Sequence, residues 1–214
     1  MKYSTVVFDF DGTIADTRAL MFEVANALAA EFGYDPIREE EIPKLRQMSA
    51  RELLVRRLHI PLWNFVKIYR LEKKGKALFA ERATDVHVFT GIREVINDLR
   101  KAGCRVGIVT SNLHDVVSVV LVAAAIAVDF VQAGSSVLGK DRAITHALAV
   151  QKIDPATVVY VGDELRDVKA CKKVGIAMIG VAWGYNDADA LQKAGVDVVS
   201  NTEQLQQLLI SEGN

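Results

Sequence analysis

The chain has 214 residues, of which half are hydrophobic and a quarter are charged, and its formal net charge is −1. This composition is typical of a globular protein, and the near-neutral net charge gives the molecule as a whole no polyelectrolyte signature for nucleic acid. The longest apolar runs are shorter than the ~18 residues of a membrane span, so we expect neither a membrane nor a nucleic acid as partner.

The cysteine content indicates the compartment. Cys104 and Cys171 lie far apart in the sequence and form no CxxC or Cys/His cluster. Such isolated cysteines are typical of free thiols in a reducing environment rather than of a disulfide framework. We therefore expect a cytoplasmic protein.

The chain begins with a predicted strand, "TVVF", that leads directly into two aspartates, Asp9 and Asp11. The segment that follows carries apolar residues at helical spacing and predicts a helix, with Asp16 as its N-cap and Gly33 as its end. The unusual feature is the pair of like charges at the end of a strand that is apolar enough to be buried.

Residues 35 to 82 show no alternation of the strand type. Three amphipathic segments, "EEEIPKLRQ", "SARELLVRRL" and "WNFVKIYRLEKKGKALFAER", predict successive helices instead. We expect an all-helical insert.

From Gly91 onward, strand and helix patterns alternate to the end of the chain, from "GIREVINDLRKAG" and "CRVGIVT" to the closing helix "TEQLQQLLISEG". This alternation predicts an α/β fold with a doubly wound, Rossmann-like parallel sheet. The predicted division is a catalytic core of residues 1–16 plus 84–214 and an α-helical cap domain of residues 17–83.

In a sheet of this kind, binding residues gather beyond the carboxyl ends of the strands, where the winding reverses. That rule selects four segments: "DFDGT" at 9–13, "VTSN" at 109–112, "GKD" at 139–141 and "VGDELRD" at 161–167. We expect these segments to converge on one site.

Convergence would crowd four carboxylates, those of Asp9, Asp11, Asp163 and Asp167. Like charges about 4 Å apart repel by about 4 kcal/mol at an effective dielectric of 20, so a compensating charge is required. Hard oxygen ligands of this type suit Mg²⁺. Lys140 would add a positive charge and Thr110 a hydroxyl, which together predict a site for a phosphate group.

These four segments, in this order and context, resemble the signature motifs of the haloacid dehalogenase superfamily in its phosphatase branch. The helical insert resembles the small α-helical cap of the subfamily that includes phosphoglycolate phosphatases, pyrophosphatases and β-phosphoglucomutases. The resemblance covers essentially the whole chain, and "DFDGT" together with "GDELRD" is its most specific part.

The resemblance implies a Mg²⁺-dependent phosphatase that acts on a small phosphorylated metabolite. Asp9 would be the nucleophile that forms an aspartyl-phosphate, and Asp11 the group that protonates the leaving oxygen and then activates water. Thr110 and Lys140 would hold the phosphoryl group. The implied metal ligands are Asp9, Asp11, Asp163 and Asp167, and the implied substrate-binding residues are Gly12, Thr110, Ser111, Asn112, Lys140 and, from the cap, Arg46.

Three alternatives stay open beside hydrolysis. Dehalogenases of the superfamily lack the second aspartate and the metal, whereas this chain has Asp11 and Asp163. The β-phosphoglucomutases carry a histidine on the first cap helix, where this chain has Met21. A non-enzymatic receiver that accepts phosphate on an aspartate would be shorter and would carry that aspartate well inside the chain.

Some neighbouring residues receive no catalytic role. We expect Glu164 and Arg166 to be exposed turn residues and Trp183 and Tyr185 to lie in the core or at its rim. Asp141, directly after Lys140, offers that lysine an acidic partner. The sequence leaves the substrate and the oligomeric state open.

Overall fold

The computed structural model describes residues 2–134 and 139–210. Its core is a six-stranded parallel sheet. The strands span Thr5–Phe8 (β1), Arg105–Val109 (β4), Phe130–Gln132 (β5), Val158–Gly162 (β6), Ala177–Val181 (β7) and Asp197–Val199 (β8). Their order in the sheet is β5-β4-β1-β6-β7-β8. The predicted doubly wound α/β fold is confirmed.

Helices cover both faces of the sheet. They are Ile92–Lys101 (α5), His114–Ala123 (α6), Lys140–Val150 (α7), Leu165–Val174 (α8), Ala188–Lys193 (α9) and Thr202–Ile210 (α10). Because side chains alternate along a strand, Val6 and Phe8 of β1 join the cluster that includes α5, α6 and α10, while Val7 joins the one that includes α7 and α8. The predicted continuation of the last helix to Gly213 lies outside the described residues.

The winding of the sheet reverses at β1. From β1 the chain moves outward through β4 and β5, and it then returns to the other side of β1 to add β6, β7 and β8. The carboxyl ends of β1, β4 and β6 are therefore neighbours, with Phe8 opposite both Ile108 and Val161. This is the position at which sheets of this type bind ligands.

The insert between the first strand and the rest of the core is helical, as the sequence indicates. Its helices span Arg18–Phe32 (α1), Ile42–Leu45 (α2), Ala50–Glu52 (α3) and Phe65–Ala80 (α4). A short π-helix, Leu53–Arg57, follows α3 directly. Two short antiparallel strands, Ala15–Asp16 (β2) and His87–Val88 (β3), pair where the chain leaves and re-enters the core. The exact division between core and cap stays a prediction.

The ends of α1 show one correction. Gly33 ends the helix in the left-handed conformation, with φ +63°, as expected. The N-cap, however, is Thr17 and not Asp16, and its side chain makes no capping hydrogen bond. The Thr17 hydroxyl instead lies 2.9 Å from the Tyr185 hydroxyl, so a tertiary contact replaces the local one. None of the helices in the described parts of the chain is long and apolar enough to cross a membrane.

Candidate active site

The loop after β1 places its two aspartates in different surroundings. The Asp9 amide still continues the sheet, donating to the carbonyl of Val161 at 2.8 Å, and the chain then turns away. Gly12 makes this turn with φ +76°, and a Cβ at that position would lie 2.3 Å from Asp163 Oδ2. Glycine is therefore required both by the backbone conformation and by the space.

Asp9, Asp163 and Asp167 form a compact acidic cluster. One carboxylate oxygen from each lies within 4.8 Å of the others, and all three side chains are fully buried. Asp163 accepts hydrogen bonds from Thr13 Oγ1 at 2.8 Å and from the Tyr185 amide at 2.7 Å. These bonds fix the orientation of the carboxylate.

Lys140 supplies the positive charge next to this cluster. It is the first residue of α7, only 3% exposed, and its Nζ lies 2.7 Å from Asp9 Oδ1 and 3.2 Å from Asp167 Oδ1. Burial opposes the charged form, but Asp167 and Asp9 outweigh it and raise the pKa of Lys140. The expected pairing of Asp141 with Lys140 is wrong, because Asp141 faces the other way and pairs with Lys173.

Asp11 lies beside Asn112 rather than among the clustered carboxylates. Asn112 Nδ2 donates to both of its oxygens, at 3.0 and 3.2 Å. Burial and the nearby Asp9 raise the pKa of Asp11 to about 6, against the opposing effect of Asn112 and Arg166. A carboxyl group with a pKa in this range exchanges protons readily near neutral pH, as a general acid or base must.

Thr110 and Asn112 are joined within the segment that follows β4. The Asn112 amide donates to Thr110 Oγ1 at 3.0 Å, and the Thr110 amide donates to the carbonyl of Gln132 at 2.9 Å. Thr110, Ser111 and Asn112 are all buried. The segment is thus held firmly at the same edge of the sheet as Asp9 and Asp11.

The acidic cluster has the chemistry that a divalent cation requires. Burial and the neighbouring carboxylates raise the pKa of Asp163 well above its usual range, and burial is the main cause that raises the pKa of Asp167 to about 7. Asp9, Asp163 and Asp167 each offer one carboxylate oxygen to the cluster. A hard cation such as Mg²⁺ would fit this set of oxygen donors and relieve the repulsion.

Comparison with known proteins agrees with this geometry. A family model described as haloacid dehalogenase-like hydrolase matches residues 6–181. The chain belongs to the haloacid dehalogenase-like hydrolase family. It is 36% identical over 199 residues to a phosphoglycolate phosphatase of Synechococcus elongatus, a match that covers 92% of each chain.

One further relative and one solved structure widen the comparison. The chain is 30% identical over 225 residues to the tyrosine-protein kinase PtkA of Mycobacterium tuberculosis, covering 95% of this chain and 70% of that protein. A haloacid dehalogenase-like hydrolase of Streptococcus pneumoniae, SP0104, has the same fold, with a TM-score of 0.78 at 16% identity over 97% of this chain and 99% of that chain. The family and the phosphatase relative confirm the expectation of a hydrolase from the phosphatase branch.

In this haloacid dehalogenase-like hydrolase, Arg166 is closer to the site than we expected. Arg166 and Glu164 are not exposed turn residues, because their side chains are only 15% and 16% exposed and form an ion pair at 2.6 Å. Arg166 Nη1 also lies 3.4 Å from Ser111 Oγ. The pattern "GDELRD" signals the loop, but it does not reveal that this arginine turns inward.

The loop after β7 is the other part that sequence reasoning missed. The Tyr185 ring lies over the turn at Gly12, where a Cβ would be 2.6 Å from its Cδ2. Trp183 Nε1 donates to the carbonyl of Thr13 at 3.2 Å. The two aromatic residues lie in the core or at its rim, as expected. The sequence does not indicate that they also support the loop that carries Asp11.

Arg46 is the one predicted site residue from the insert. Its Nε and Nη2 donate to main-chain carbonyls of the loop after β7, at 2.9 to 3.3 Å. The structure therefore brings Asp9, Asp11, Asp163, Asp167, Gly12, Thr110, Ser111, Asn112 and Lys140 to one edge of the sheet, and it places Arg46 against the neighbouring loop.

Proposed function

We propose that this protein is a Mg²⁺-dependent phosphatase that hydrolyses a small phosphorylated metabolite through an aspartyl-phosphate on Asp9. The observation that carries the proposal is the environment of Asp9. Its Oδ1 is held by Lys140 and the Phe10 amide, both at 2.7 Å, while Oδ2 has no hydrogen-bond partner among the described residues. A fixed carboxylate with one free oxygen is suited to attack phosphorus.

In the first step, an oxygen of Asp9 attacks phosphorus and the bond from phosphorus to the leaving oxygen breaks. Asp11 donates its proton to that oxygen, for which a pKa of about 6 is suitable. The products are the free alcohol, an acyl phosphate on Asp9 and a deprotonated Asp11.

In the second step, Asp11 takes a proton from water, the water oxygen bonds to phosphorus, and the bond from phosphorus to Asp9 breaks. Phosphate leaves, and both aspartates return to their starting states. Lys140 and the Thr110 hydroxyl would hold the oxygens of the transferring group, a contribution that dominates phosphoryl transfer in general.

Asp9, Asp163 and Asp167 are the proposed ligands of Mg²⁺, which when bound would supply positive charge to the phosphoryl oxygens. The resemblance also implies Asp11 as a ligand, but its carboxylate is held by Asn112. We therefore assign its carboxylate to proton transfer.

The identity to a phosphoglycolate phosphatase supports 2-phosphoglycolate as the first substrate to test. Transfer of phosphate to a protein tyrosine is the second candidate, because the identity to PtkA extends over 95% of this chain. Hydrolysis is favoured since the phosphatase matches at higher identity over more of its own length. The proposed location is the cytoplasm, where the buried thiols of Cys104 and Cys171, which the structure does not join in a disulfide, would stay reduced.

The test is phosphate release from a panel of phosphorylated metabolites, with Mg²⁺ or with a chelator, by the wild type and by Asp9→Asn. We expect Mg²⁺-dependent release with 2-phosphoglycolate and a loss of about a thousandfold or more in the variant. Equal release by Asp9→Asn, or indifference to the chelator, would contradict the mechanism. Phosphorylation of a tyrosine peptide from ATP without metabolite hydrolysis would favour the second candidate.

A further inference from the structure

A clasp, formed by residues 46–48 of the insert and 182–187 of the core, joins the two parts beside the active site. From the insert, Arg46 Nη2 donates to the carbonyls of Ala182 at 2.9 Å and Gly184 at 3.3 Å, and Nε donates to that of Tyr185 at 3.3 Å. From the core, the Asp187 amide donates back to the Arg46 carbonyl at 3.2 Å. The contact is therefore reciprocal.

Asn186 is the central residue of the clasp. Its side chain is only 4% exposed, and Nδ2 donates to the carbonyls of Arg46 at 2.6 Å and Met48 at 2.9 Å. On its other side, Oδ1 accepts from the amide of Leu165 at 2.8 Å. Two carbonyls require a donor and one amide requires an acceptor, and a side-chain amide meets both needs.

The core side of Asn186 leads directly to two members of the acidic cluster. Leu165 is the first residue of α8, the helix that carries Asp167. The Asn186 amide donates to the carbonyl of Asp163 at 3.2 Å, and the adjacent Tyr185 amide donates to Asp163 Oδ2 at 2.7 Å. One residue thus connects the insert to the segment that bears Asp163 and Asp167.

We propose that the clasp couples the position of the insert to the geometry of the acidic cluster, with Asn186 as a positioning residue. When the insert is seated, Asn186 is held by Arg46 and Met48, and it holds Leu165 and Asp163 in turn. Seating the insert and binding the metal then favour one another, because a coupling between two sites is reciprocal. This inference rests on the proposed function in one respect, that the cluster binds Mg²⁺.

The test is Mg²⁺ affinity without substrate, measured by calorimetric titration and by the rise in melting temperature. Arg46→Met removes the three hydrogen bonds that the Arg46 side chain donates to the core and alters none of the three carboxylates, yet we expect it to raise the Mg²⁺ dissociation constant by about fivefold or more. Asn186→Asp keeps an acceptor for the Leu165 amide but loses both donors to the insert, and we expect weaker Mg²⁺ binding although its added negative charge by itself attracts the cation. Arg46→Lys keeps the charge without the planar fork and should fall between Arg46→Met and the wild type.

Arg70→Met is the matched control, since it removes the same charge from the exposed surface of α4. Its Mg²⁺ affinity should stay within about twofold of the wild type, because Arg70 takes no part in the coupling. Circular dichroism of the metal-free variants verifies folding, and Arg46→Lys and Asn186→Asp decide the outcome should Arg46→Met fail to fold.

The two proposals fail in different ways. Equal Mg²⁺ affinity in the wild type, Arg46→Met and Asn186→Asp, with phosphatase activity retained, would overturn the clasp alone. Absence of Mg²⁺ binding by the wild type would overturn the proposed function and this inference with it.

Discussion

At the scale of single residues, the site depends on close contacts that permit almost no change. Gly12 lies between Asp163 and Tyr185, where a Cβ would be 2.3 Å from the Asp163 carboxylate and 2.6 Å from the tyrosine ring. The same turn separates Asp11, which faces Asn112, from the acidic cluster. The two aspartates of "DFDGT" can therefore take different chemical roles although they are only two positions apart.

We predict that Gly12→Ala lowers the free energy of unfolding by about 1–3 kcal/mol, because a residue with a Cβ is strained at φ +76°. It should also reduce phosphatase activity, since Asp163 or Tyr185 must move. Chemical denaturation and phosphate release measure the two effects. A variant with wild-type stability and activity would show that the turn is not constrained in this way.

At the scale of elements, the insert depends on the packing of α1 against α4. Gly75 lies in the middle of α4, and a Cβ there would be 3.9 Å from both Leu28 Cδ1 and Val24 Cγ1 of α1, an ordinary contact distance. Glycine inside a helix costs backbone entropy and leaves this space unfilled. The packing of the insert is therefore not at its optimum.

We predict that Gly75→Ala stabilises the protein by about 0.5–1 kcal/mol, by gaining helix propensity and contacts with α1. The matched substitution Gly33→Ala, at the left-handed end of α1, should destabilise it by about 1–2 kcal/mol. Thermal denaturation compares the two variants. If both substitutions raised the melting temperature, or both lowered it, the result would contradict the conformations assigned to these glycines.

The elements also show what the sequence could predict and what it could not. The strands and helices of the core follow from local patterns of apolar residues, and the site segments follow from the positions of strand ends. The contacts of Arg46 with the loop after β7 and the inward turn of Arg166 depend on how distant elements pack. Asp141 likewise turns toward Lys173 of α8 because α7 and α8 are neighbours, which its own sequence context does not indicate.

At the scale of the whole molecule, the buried acidic groups link stability to pH and metal. Burial is the main cause that raises the pKa of Asp11 to about 6 and of Asp167 to about 7, whereas an aspartate in the unfolded chain titrates near 3.9. Between these values the folded protein binds more protons than the unfolded chain. The metal-free protein should therefore lose stability from these groups as the pH rises from about 4 to about 7.

We predict that a Mg²⁺ concentration about 100 times the dissociation constant at pH ~7.5 raises the melting temperature by roughly 5–10 °C at that pH, and that the same concentration raises it by less at pH ~5, where protons compete for the carboxylates. Asp163→Asn should remove most of this effect, because it deletes one of the three clustered carboxylates. Differential scanning calorimetry at both pH values provides the measurement. An equal rise in melting temperature with Mg²⁺ at the two pH values would contradict the assignment of the clustered carboxylates as the metal ligands.

Covalent trapping on Asp9 tests the central claim most directly. Acetyl phosphate has a good leaving group and needs little help from an acid, so Asp11→Asn should still be phosphorylated but should lack the base that activates water. After an acid quench, mass spectrometry of this variant should find one phosphoryl group on the peptide that contains Asp9. The double variant that carries both Asp9→Asn and Asp11→Asn should carry none. Phosphate release by the Asp9→Asn protein at the wild-type rate, or a phosphoryl group on another residue, would contradict the account.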